Sequence, residues 1–146
     1  MSVRFAYRNL GAPDLDRRGL EPATAPRHVL LVDIEADLVV GDGERVLFAE
    51  GLFPVAELAC ALVGWVGLPD GERGDFAFDS MSYADVGEVR IAGSAEGWRV
   101  GSVSQPDDWT SPVAWDVLVA EIERFASAVR GDVAGIGVDP ALIPRL

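Results

Sequence analysis

The chain has 146 residues, of which 49% are hydrophobic, and 24 acidic residues against 12 basic give it a net charge of −12. That is the length of one domain with enough apolar content for a sizeable core, which excludes a disordered chain. The acid excess repels phosphate and speaks against nucleic acid as a partner, whereas it suits a basic protein or simply keeps the chain soluble.

The elements follow from hydrophobic spacing. Val3, Phe5 and Tyr7 alternate with Arg4 and Arg8, which predicts a short edge strand in residues 1–10. Residues 11–27, GAPDLDRRGLEPATAPR, hold three prolines and two glycines and read as a long loop. From Leu30 to Val40 every second residue is apolar, and Asp33, Glu35 and Asp37 take places between them. Such alternation predicts a strand with one face in the core and the other in water. Gly41-Asp42-Gly43 predicts a tight turn into a partner strand at Val46–Ala49.

Pro54 suits the first turn of a helix that runs to about Val66 and is apolar nearly all round, with Glu57 as its one charge. Phe76–Phe78, Glu88–Ile91 and Gly97–Val103 predict three more short strands in a meander. Ser111-Pro112 then opens a second helix, ended by Gly131, on which Trp115, Leu118, Ile122, Phe125 and Val129 form one stripe. Residues 131–146 are too rich in Gly and Pro for regular structure.

The order β-β-β-α-β-β-β-α predicts one α+β domain over residues 1–146, with its core in residues 28–130. Its expected form is an antiparallel sheet of five to six strands with two helices packed on one face. The opposite face is expected to be open and to carry Asp33, Glu35 and Asp37 together with Glu88 and Arg90. The longest apolar run, Leu58 to Val66, is well short of the roughly 20 residues of a membrane helix. MSVRFAYRNL lacks the apolar block of a signal peptide. A cytoplasmic protein that does not bind membranes is expected.

No motif declares a chemistry. His28 is the single histidine and Cys60 the single cysteine, so no zinc pattern and no internal disulfide exist, and any histidine-based triad must use His28. No phosphate loop or dinucleotide fingerprint is present. The sequence therefore predicts no catalytic residues, no metal and no cofactor. Asp33, Glu35 and Asp37 would lie about 7 Å apart in steps of two along a strand. Such a row is a solvated face or a patch for a basic partner; a hard cation or acid–base chemistry is a weaker use of it. Trp98, Arg99 and Trp109 have the residue types of interface anchors. Trp65, Phe76, Phe78, Trp98 and Trp115 could instead line an apolar pocket for a small molecule. An enzyme using carboxylates with Ser80 or Ser82 is a third reading.

FPVAELACALVGW, FAFDSMSYADVGEVRI and GWRVGSV resemble a family of small actinobacterial proteins known as a domain of unknown function, over roughly Val29 to Val103. The resemblance brings no catalytic residues with it. In size, acidity and α+β outline the chain is also similar to immunity proteins of bacterial polymorphic-toxin systems, which bind and block a cognate toxin, often a basic nuclease. That likeness implies a non-enzymatic inhibitor of a basic partner, and a homodimer through an uncovered sheet face is compatible with it.

Overall fold

The computed structural model describes residues 2–146. Its regular elements are β1 (Val3–Gly11), α1 (Pro13–Arg17), α2 (Arg27–Asp33), β2 (Glu35–Asp42), β3 (Arg45–Phe53), α3 (Val55–Val66), β4 (Phe76–Ala77), β5 (Arg90–Ser94), β6 (Gly97–Ser102), β7 (Gln105–Trp109) and α4 (Trp115–Gly135). A 3-10 turn follows at Pro140–Leu142. The class is α+β, but the strands form two antiparallel sheets instead of one. Three strands make the first, in the order β1-β2-β3, and four make the second, in the order β4-β5-β6-β7. The helices α3 and α4 pack against each other and against both sheets, and β3 meets β6 where the sheets join.

Alternation sets the inner face of the first sheet. Phe5, Leu38, Val40 and Phe48 are buried there with Val3 and Ala36, and the register places Phe5 beside Val40 and Val40 beside Phe48. From the second sheet, Ile91 and Val100 lie side by side in the same core. On α4, the stripe of Leu118, Ile122, Phe125 and Val129 is fully buried, and the Phe125 ring packs 5.6 Å from Phe5.

The strand expected from Leu30 begins only at Glu35, because residues 27–33 are the helix α2. Leu30 and Ile34 stand four residues apart, a spacing that puts both on one face of a helix and equally on one face of a strand. Pro26 precedes the helix, and the Ile34 N–H donates to the Leu30 carbonyl at its end. Asp33 consequently leaves the acidic row. It is buried, and Arg18 grips it through Nε at 2.7 Å and Nη2 at 3.1 Å. The expected loop thus holds α1 and supplies the arginine that neutralises Asp33.

The hairpin between β2 and β3 turns on Gly43-Glu44, with φ of +65° at Gly43. Asp42 belongs to the end of β2 and is buried. Its Oδ2 accepts the Ser111 N–H at 2.7 Å and lies 3.8 Å from Arg45. That backbone hydrogen bond, aided by Arg45, holds the Asp42 carboxyl below its ordinary 3.8. A depressed folded value means that the stabilisation is complete above the ordinary value and is lost as pH falls through the folded one. Asp42→Asn is therefore expected to cost about 1 kcal/mol at neutral pH and to lose less stability than wild type on further acidification below pH 4 or so. Thermal melts at neutral pH and near pH 3 test this.

Ser111-Pro112 does not cap a helix. The segment continues as a strand-like edge, where Trp98 and Val113 exchange backbone hydrogen bonds of 2.8 and 2.9 Å. Thr110 Oγ1 accepts the Val100 N–H just before it. The helix starts at Trp115 and runs through Gly131 to Gly135. The tail packs down on it, burying Val138, Leu142 and Ile143, while Arg130 donates to the carbonyls of Ile143 and Pro144.

Candidate functional site

The expected acidic sheet face does not form as a row. Glu35 and Asp37 alternate on β2, but the outer face of the first sheet also carries Arg4 and Arg8, with Arg8 directly across from Asp37. Asp37 accepts a 2.8 Å hydrogen bond from Asn9 Nδ2. Both neighbours of β2 are irregular here. On β1 the register slips between Arg8 and Gly11, and on β3 two residues, Gly51 and Leu52, oppose Asp37 alone. Asn9 and Leu52 take up these slips with φ of +60° and +54°, a conformation uncommon for residues other than glycine. Such bulges re-aim side chains, and Leu52 is 71% exposed.

Beside the bulge, Phe53 enters the core, and Tyr83 of the β4–β5 loop stacks on it with ring centres 5.5 Å apart. That loop is fastened to α3 by Glu57, which is buried. Its Oε1 accepts the Ser80 hydroxyl at 2.5 Å and its Oε2 the Met81 N–H at 3.1 Å. Ser80 in turn accepts the Ser82 N–H. Of the two serines considered for chemistry, Ser80 holds the loop through its hydroxyl and Ser82 through its backbone N–H. The clip presents Tyr83 with exposed Met81 and Val86, 59% and 52% accessible, on the same side as Glu50, Asp85 and Glu88.

Three titratable groups here are raised first by burial and second by nearby carboxylates. Burial pushes Tyr83 up to about 12, helped by the charges of Glu50, Glu88 and Glu35. Glu88 is raised above its ordinary value by burial and then by Glu50 and Asp85. Glu35 is raised by burial, then by Asp14 and Asp33, with Arg17 opposing. Among the described residues no arginine comes within 4.0 Å of Glu35, Glu50, Asp85 or Glu88 to form an ion pair. The result is an acidic patch without an ion pair among the described residues, around exposed aliphatic side chains and one tyrosine. Among the described residues no set of three or more His, Cys, Asp and Glu side chains is placed to hold a metal ion.

Trp98 does not share a face with Arg99 and Trp109. Trp98 faces the core, and its ring packs 5.1 Å from Trp115 and 5.5 Å from Trp65. Trp109 lies on the outer face of the second sheet, where Arg90, Gly101 and Trp109 occupy one row across three strands. A Cβ on Gly101 would stand 2.9 Å from the Trp109 ring, so only glycine lets that ring lie on the sheet. The Arg90 guanidinium covers it at 4.3 Å. Arg99 is on the same outer face and reaches Glu96 at 3.5 Å.

The rings proposed to line a pocket fill the space themselves. Trp65 packs at 5.4 Å from Trp115 and 5.6 Å from Phe76, and Phe78 belongs to a second stack, 5.7 Å from Phe53. Arg73 closes the first cluster, with its guanidinium 4.2 Å over Trp115. It also donates to the carbonyls of Trp65, Val66 and Leu68 and so satisfies the C-terminal end of α3.

His28 is exposed at the start of α2, and the Cys60 thiol is raised by burial with its Sγ against the Leu142 carbonyl. Spacing could have flagged part of the site. Gly51 interrupts the alternation of β3 and signals a bulge, and a lone glutamate in an apolar helix needs a partner.

These features define an acidic α+β domain of two antiparallel sheets and two packed helices, with a negatively charged patch at one end of the first sheet. A family model described as a domain of unknown function, DUF7878, matches residues 14–135, and the chain belongs to that family. The matched span extends beyond the Val29 to Val103 of the sequence resemblance in both directions. No curated protein and no solved structure matches the chain. No helix among the described residues is long and apolar enough to cross a membrane.

Proposed function

We propose that this is a non-enzymatic protein-binding domain that docks a basic partner on the patch of Glu35, Glu50, Tyr83, Asp85 and Glu88, in the manner of an immunity or antitoxin inhibitor. The observation that supports it best is that, among the described residues, none of these carboxylates has an arginine in ion-pair contact; Glu35 and Glu88 are raised by burial and then by neighbouring carboxylates. Lysines or arginines of a partner would relieve that repulsion on contact. The exposed Leu52, Met81 and Val86 supply the apolar centre that a docking surface needs. Opposite charges across such a surface raise the association rate and make it sensitive to salt.

Linkage gives this reading a pH signature. Because burial and neighbouring carboxylates raise Glu35 and Glu88 above their ordinary value, both lose their charge earlier than an exposed glutamate as pH falls, and affinity for a basic partner falls with them. The test uses wild-type chain and the Glu50→Lys, Glu88→Lys double variant as baits, followed by titration of whatever purified partner is retained. Wild type should hold a basic protein released by salt, and the double variant should bind it at least tenfold more weakly, or about 1.4 kcal/mol. Equal binding by the two baits sinks the proposal.

A further inference from the structure

The outer face of the first sheet is a second surface, which meets the proposed docking patch only at Glu35, at the start of β2. Its register sets three rows across β1, β2 and β3: Arg4, Gly41 and Val46; Ala6, Val39 and Ala49; and Arg8, Asp37 and Gly51. Alternation turns these side chains away from the core. Among the described residues no helix covers them, and Arg4, Ala6, Arg8, Val46 and Ala49 are all exposed. Small side chains keep the middle of the face flat, with a shallow depression of about 360 Å³ over Ala6, Val39 and Asp37. The corresponding face of the second sheet is closed by its own side chains, the Arg90–Trp109 stack and Arg99.

We propose that the outer face of the first sheet is a homodimer interface, on which a second copy of the chain packs about a two-fold axis parallel to β2. Sheets pack face to face at about 10 Å in roughly aligned directions, and a two-fold contact requires one patch to complement itself. Rotation about that axis lays Val39 on Val39 of the second copy and Ala6 on Ala49. It brings Arg8 over Gly51, where the missing side chain leaves room for the guanidinium. Asp37 meets Asp37, and each has an Arg8 beside it on the neighbouring strand. The two aspartates and two arginines then form a closed set with no net charge.

This charge pattern selects the occupant. A basic partner would face Arg4 and Arg8, and an acidic one would face Asp37 on a chain of net charge −12. A second copy matches Arg8 and Asp37 at once and leaves Arg4 opposite the apolar Val46. Like charge on the two copies repels at long range, so moderate salt should leave the dimer intact or strengthen it. Docking on the acidic patch should respond to salt in the opposite sense.

The test is sedimentation equilibrium on the full chain without any partner, over a concentration series. A reversible dimer with Kd of about 10 to 100 µM is expected for a face of this small extent. Ala49→Arg, which drives a charge onto Ala6 of the second copy, should raise Kd at least tenfold or so. Arg8→Asp should do the same by gathering four carboxylates, and adding Asp37→Arg to it should restore association. Circular dichroism shows whether each variant is folded, and the exposed Ala49 position keeps one variant independent of any folding defect at Arg8. A wild-type chain that stays monomeric at about 1 mM overturns the proposal, as does a dimer indifferent to both single changes. It also fails if Ala49→Arg abolishes binding of a foreign protein while the free chain is monomeric. None of these variants touches Glu50 or Glu88, so failure here leaves the docking of a basic partner to be judged separately.

Discussion

Trp65→Ala is expected to cost about 4 kcal/mol of stability, the range measured for removing a large aromatic side chain from a packed core. Trp65 is the hub of its cluster, in contact with Phe76, Trp98 and Trp115 from three different elements. Its indole N–H donates to the Gly74 carbonyl at 2.9 Å, which ties the turn after α3 to the helix. Losing the ring opens a void, leaves that carbonyl without its donor, and removes the support on which Trp98 and Trp115 rest. Trp65→Phe keeps most of the contact and should cost roughly half as much. Urea denaturation followed by fluorescence of the remaining tryptophans measures both. A loss below about 1 kcal/mol for the alanine variant would mean that the rings border open space, which is what the small-molecule reading requires.

How far the fold was legible depends on what each residue had to decide. Ile34, Ala36, Leu38 and Val40 are all buried, as alternation predicts, because a sheet with one covered face forces that parity. Residues 27–33 went the other way. A short apolar run fits a helix or a strand equally, and the choice is made by tertiary partners, here Arg18 closing on Asp33. The strand β7 was illegible for a related reason. QPDDW has a proline and two aspartates and no alternation, and it pairs at the edge of its sheet because Arg45 of β3 holds it. That arginine binds Asp108 at 2.5 Å and the Trp109 carbonyl at 2.7 Å. Division into two sheets follows from these contacts between elements and has no local signature.

The patch shows the same division. Acidity is visible in composition, and Glu35 remains part of it. Yet Asp33 is neutralised inside the fold, and the carboxylates that reinforce one another, Glu50 and Glu88, lie 38 positions apart in the chain. Only folding brings them together. The tryptophans were misleading in the opposite way. Trp98 and Trp109 are residue types that suit an interface, but one completes the core and the other lies flat under Arg90. Residue type alone cannot separate an anchor for a partner from an anchor for the chain's own sheet.

The second large effect expected is at Glu121, where removal of one side chain should loosen a whole edge of the first sheet. Phe5 is completely buried, and in β1 its N–H and carbonyl point away from β2 toward α4. Glu121 Oε2 accepts that N–H at 2.7 Å, and Arg124 Nη2 donates to the carbonyl at 2.6 Å. Two hydrogen bonds, of 2.7 and 2.8 Å, hold the two side chains to each other. Together they take the place that a further strand would occupy, which also denies the edge to another chain. Glu121→Ala leaves the Phe5 N–H without an acceptor and Arg124 without its carboxylate, and should cost about 3 kcal/mol. Glu121→Gln keeps an oxygen for the Phe5 N–H but loses the charge and one acceptor toward Arg124, so it should cost about half of that. Amide exchange separates this clamp from a general loss of stability. Exchange at Phe5 should accelerate through local opening in the alanine variant, well before exchange at Val40 in the sheet centre. If the two amides accelerate together, the edge opens only with the rest of the sheet, and β1 is held by its pairing with β2 and its packing on α4 instead of by Glu121.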